Sequence, residues 1–143
     1  MSKKIIALTI FSVILSACAG FLVQEPDWIQ TGPQFSANHG AVDLYSNPED
    51  VKKPYGVLGM ARMKGVPKNT KDIKNAIEEM RKFASTKGAT GLLVNQEPEG
   101  ENGEAGTVMV AGYAIKYKDS VTPADQKAID DFKLIGAVDT YKK

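Results

Sequence analysis

Between Ile73 and Ala84 apolar residues return at three- and four-residue steps: Ile73, Ala76, Ile77, Met80, Phe83 and Ala84. That spacing follows the 3.6-residue period of a helix and cannot lie along one face of a strand, whose side chains alternate every two. Lys71, Lys74, Glu78, Arg81 and Lys82 fall on the other side. The ends are legible as well. Asn69 or Thr70 can cap the first turn, Asp72 places an acid within it, and Gly88 holds the usual C-terminal position. The Glu78–Lys82 pair adds only about 0.2–0.5 kcal/mol. Burying Ile73, Ile77, Met80 or Phe83 is worth roughly 1.5–3 kcal/mol each, so packing on a sheet decides this helix. Ile77→Asp is accordingly expected to unfold the domain.

Strand patterns flank the helix on both sides. Val42, Leu44 and Tyr45 suggest a short strand, ended by the turn signal Ser46-Asn47-Pro48. Tyr55 to Lys64 reads as a second strand, with Leu58, Met60 and Arg62 on one face and Val57, Ala61 and Met63 less regularly on the other. Gly56 and Gly59 there would allow a bulge. After the helix, Gly91 to Gln96 is a short buried run, and Thr107 to Tyr117 is long, with Tyr113, Ile115 and Tyr117 on one face. Thr122-Pro123-Ala124-Asp125 opens a second helix, carried by Ala128, Ile129, Phe132 and Ile135. The expected architecture is α+β: a small antiparallel or mixed four-stranded sheet in ββαββα order, with the helices on one face.

The first eighteen residues obey different rules. Lys3 and Lys4 precede an apolar run from Ile5 to Leu15, then Ser16-Ala17-Cys18. The run fits the h-region of an export signal and is too short for a bilayer span of roughly 20 residues. Cys18 is the only cysteine in the chain. Leu15-Ser16-Ala17-Cys18 resembles the lipobox of bacterial lipoproteins. The resemblance implies cleavage between Ala17 and Cys18 and a diacylglyceryl group on the Cys18 sulfur, with the new amino terminus often acylated too. Each buried methylene contributes about 0.8 kcal/mol, so two or three chains make a lasting anchor where one would not. Ala19 after the lipidated cysteine, rather than Asp, leans toward the outer membrane facing the periplasm.

Residues 1–17 are then a removed signal, 18–40 a lipidated N-terminus and tether, and 41–143 one globular domain. Lys3 and Lys4 leave with the signal, so 18 basic residues become 16 against 17 acidic ones, a mature formal charge of −1. That balance provides no basic field for nucleic acid. With its cysteine given to lipid, the body has no disulfide and must hold by its core alone. The tether could extend about 70 Å, yet Phe21, Leu22, Val23, Trp28 and Ile29 make it more apolar than a spacer needs. Either Trp28 sits at the headgroup level, or these residues fold back on the domain as a pinned arm, which is the expectation taken.

Helix, then Gly88-Ala89-Thr90-Gly91-Leu92-Leu93-Val94, then Val108-Met109-Val110-Ala111-Gly112-Tyr113-Ala114 also resembles the small α+β domains of the YbjQ type. A related domain occurs in the outer-membrane sensor lipoprotein of the Rcs envelope-stress phosphorelay. The likeness spans about Val42 to Lys118 and implies an α+β fold. That sensor is held by disulfides this chain lacks, so neither its role nor any of its functional residues carries over.

Chemistry is sparse. His39, the only histidine, lies between Asn38 and Gly40 as a turn residue without ligand spacing around it. No Gly-x-Ser-x-Gly or His-Glu-x-x-His occurs. Glu97, Glu99, Glu101 and Glu104 sit in a glycine-rich loop that reads as a solvated hairpin rather than a calcium frame. No catalytic residue, metal or cofactor is expected. The expected role is a non-catalytic interaction or sensor module that touches an envelope protein or the cell wall, through Tyr45, Tyr55, Tyr113 and Tyr117. The alternative is a small-ligand binder with a pocket between sheet and helix. An exposed aromatic sheet face favours the first and an enclosed apolar cavity the second.

Overall fold

The computed structural model describes residues 24–98 and 105–134. The expected signal at 1–17, Cys18, the glutamates at 99, 101 and 104, and Ile135 lie outside them. The fold is α+β, with five strands in a mixed sheet where four were expected. Strands β1 (Asp27–Gln30), β2 (Asp43–Tyr45) and β3 (Tyr55–Pro67) precede helix α1 (Thr70–Thr86). Strands β4 (Gly91–Pro98) and β5 (Thr107–Tyr117) and helix α2 (Pro123–Leu134) follow. The spatial order is β1-β3-β5-β4-β2, antiparallel throughout except for the parallel β2–β4 pair at the far edge.

The additional strand comes from the stretch expected to tether. Four residues are too few to show a period, and tertiary packing makes β1. Trp28 turns inward and meets the Phe83 ring of α1 edge-on, with centroids 5.8 Å apart. Gly59 leaves room for the indole, since a Cβ there would lie 2.5 Å from the Trp28 ring. The chain then stays on the body: Thr31 and Gly32 donate backbone bonds to the Leu58 carbonyl, and Phe35 and Val42 are buried in the main core. The folded body thus reaches back to Pro26.

The helix starts at Asn69, whose side chain accepts from the Asp72 amide at 2.9 Å. It ends where Gly88 takes φ +85°, a conformation that L side chains resist. Ala76, Met80 and Ala84 are its fully buried line, while Ile73, Ile77 and Phe83 pack beside them half-exposed. In β3 a register shift between Val57 and Gly59 changes the expected faces. The extra residue puts Leu58 with Ala61 and Met63 against the helices and sends Met60 and Arg62 to the opposite face, and a second shift between Met63 and Val66 turns Val66 inward too. Period-two reading fails at a bulge because the bulge is where the period breaks.

Candidate functional site

The two faces of the sheet differ. The helix face is closed. Met80, Leu92, Val110 and Ala114 are fully buried there. A Cβ at Gly112 would stand 2.9 Å from the Met80 side chain of α1 and the Leu92 side chain of β4. The opposite face is only half covered. Val51, from the β2–β3 connection, packs with Tyr45, Tyr55 and Val57 over Leu93, Ile115 and Tyr117. Beyond this second cluster Ile29 and Tyr113 are exposed.

The four candidate tyrosines therefore separate. Tyr117 is buried, its hydroxyl donating to Asp43 at 2.6 Å and lying 2.6 Å from the Tyr45 hydroxyl. Burial first, then the bonds to Asp43 and Tyr45, push its pKa well above the ordinary phenol range. Tyr45 and Tyr55 are half-buried members of the same cluster, so these three hold the cover in place. Tyr113 is 49% exposed and belongs to the open part.

Tyr113 does not stand alone. Register places Ile29 opposite Met60, Met60 opposite Tyr113, Tyr113 opposite Leu93, and Leu93 opposite Tyr45. Residues in register share a face, so one apolar row crosses all five strands. Its Tyr45–Leu93 end runs under the cover, and at its other end Ile29, 40% accessible, and Tyr113 are exposed with Met60 half-buried between them. Beside the row, Arg62 lies opposite Asp27 and Ala111, and its Nε is buried without a hydrogen-bond partner. The sequence signals Met60 and Arg62 as alternating strand residues, but their alignment with Ile29 depends on a register no local pattern contains.

Other candidates fall apart in space. His39 is exposed on the arm. Among the described residues no group of three or more His, Cys, Asp or Glu is placed to hold a metal, and no helix is long and apolar enough to cross a membrane. An open groove of about 380 Å³ lies where β2, β4 and α1 meet, lined chiefly by Leu44, Ile77, Val94 and Gln96. A buried ion pair joins Lys116 of β5 to Asp125 of α2 at 3.8 Å, and the Lys116 ammonium lies 5.4 Å from the Phe35 ring centroid.

No family model matches the chain, and no curated protein matches it by sequence. Among solved structures it is similar to the Francisella virulence factor FvfA: 24% identity, 63% of this chain and 97% of that one covered, TM-score 0.39.

Proposed function

We propose that this protein is a lipid-anchored lipoprotein of the bacterial envelope, held through Cys18 on the outer membrane and facing the periplasm. Its body is a non-catalytic interaction or sensor module, and its contact surface is the open sheet face. The observation that carries this reading is the open end of the row, where exposed Ile29 and Tyr113 flank half-buried Met60. Isolated exposed apolar residues are ordinary, whereas residues aligned in one row across neighbouring strands offer a contiguous apolar surface to a partner. A small-ligand role draws support from the groove at Leu44 and Val94, whose volume falls in the range of ligand sites. That groove is open, however, and encloses little of any molecule placed in it.

Mass spectrometry of the chain recovered from cell membranes tests the anchor. The expected product begins at Cys18 and carries a diacylglyceryl group. A product that keeps residues 1–17, or a soluble one with Cys18 unmodified, would sink the proposal.

A further inference from the structure

The exposed row ends on β1, the edge strand nearest along the chain to Cys18. Only residues 18–23 precede Gln24, the first described position, and that length of extended chain reaches at most about 20 Å. A lipid on Cys18 therefore holds the β1 edge beside the bilayer. The β2 edge lies four strand spacings further off, about 19 Å.

The side chains on the open face suit a lipid surface. Ile29 and Met60 are apolar, and Tyr113 joins an apolar ring to a polar tip, the combination found at headgroup depth. Arg62 follows Met60 on the same face, and the exposed Lys64 follows Arg62. The buried Arg62 Nε has no hydrogen-bond partner, and among the described residues Arg62 enters no ion pair, with Asp27 or any other acid. A guanidinium with no acid paired to it, beside an apolar stripe, matches a phosphate above acyl chains.

We propose that the open sheet face docks on the bilayer to which Cys18 is tethered, with Ile29, Met60 and Tyr113 at the headgroup boundary and Arg62 donating to a phospholipid phosphate. This rests on the reading of Cys18 as the lipid-bearing residue and names the partner of the same face. A chemical tether separates the two ideas. Every described residue lies downstream of Cys18, so the chain from Cys18 onward contains all of them. Its thiol can be coupled to a maleimide phospholipid in nanodiscs of phosphatidylethanolamine and phosphatidylglycerol.

With Ile, Leu and Met methyl groups labelled for NMR, a nitroxide on the lipid headgroup should broaden Ile29 and Met60 several-fold more than Leu44, which is equally exposed at the far edge. Arg62→Gln should keep the fold and weaken the Met60 broadening. Broadening of Leu44 equal to that of Met60, or of neither, would overturn the docking. An undiminished effect in Arg62→Gln would remove the phosphate contact. Protection of the row without lipid, with doubled mass in solution, would give the face to a second copy instead. Because the tether is synthetic, absence of acylation in cells would refute the anchor and leave this measurement intact.

Discussion

The Tyr117 hydroxyl on β5 donates a 2.6 Å hydrogen bond to the Asp43 carboxylate on β2, crossing β4, the strand that separates them. Gly91 lies in register between Asp43 and Ile115 and keeps the path clear. A Cβ there would stand 2.9 Å from the Ile115 side chain and 3.4 Å from the Tyr117 hydroxyl. Tyr117 has one proton, which goes to Asp43, so Tyr45 must donate to the Tyr117 oxygen. The relay fastens a three-residue edge strand whose own pairing is slight.

Tyr117→Phe should cost about 1–3 kcal/mol, because it removes the Asp43 bond and leaves Tyr45 without an acceptor. Urea unfolding monitored by circular dichroism reads the loss. Tyr45→Phe, which keeps the Asp43 bond, should cost less. Equal stability of Tyr117→Phe and wild type would show that the relay contributes nothing.

Alkaline stability follows from the same residue. Burial and the bonds to Asp43 and Tyr45 raise the Tyr117 pKa in the folded state above its unfolded value, near 10. Above that pH the unfolded chain loses a proton that the folded chain keeps, so stability is whole below about pH 10 and declines as pH rises. The slope approaches about 1.4 kcal/mol per pH unit. Tyr117→Phe should flatten it; identical alkaline slopes for the two proteins would refute the assignment.

Lys116 and Asp125 are 7% and 5% exposed, so removing one partner strands the other charge in the core. Lys116→Met should destabilise by about 3 kcal/mol. The double variant Lys116→Met, Asp125→Asn removes both charges and keeps an oxygen for the cap bond from the Thr122 amide. It should recover at least about 1 kcal/mol of the loss. A double variant no more stable than Lys116→Met would mean that the charges are uncoupled.

Helix α1 should be most sensitive where it touches Gly112. Met80→Ala should cost about 2–5 kcal/mol and Ile77→Ala less, since Met80 is fully buried and Ile77 half-exposed. Gly112→Val should crowd the Met80 and Leu92 side chains and cost about 1–3 kcal/mol, read by urea unfolding. Tolerance of Gly112→Val with full stability would contradict the close approach.

Both helix starts could be read locally. Asn69 and Asp72 form one cap, and Thr122 and Asp125 exchange bonds at the other. The alternation of Tyr113, Ile115 and Tyr117 holds as well, because no bulge interrupts β5 there. It assigned a face without saying what covers it. Tyr117 and Tyr113 share that face, yet one is buried under the β2–β3 connection and the other is open. β1 was illegible for a different reason: Asp27-Trp28-Ile29-Gln30 becomes a strand only because β3 supplies an edge and Phe83 supplies a ring.

Near neighbours along the chain were enough for the helix starts, their caps and the alternation of β5. Tertiary structure alone decided the strand order, the bulge that turns Leu58 inward, and the alignment of Ile29, Met60 and Tyr113 into one row. Local periods come from backbone geometry within a few residues. Register and cover arise from contacts between segments far apart in the chain, and those exist only once the whole core has closed.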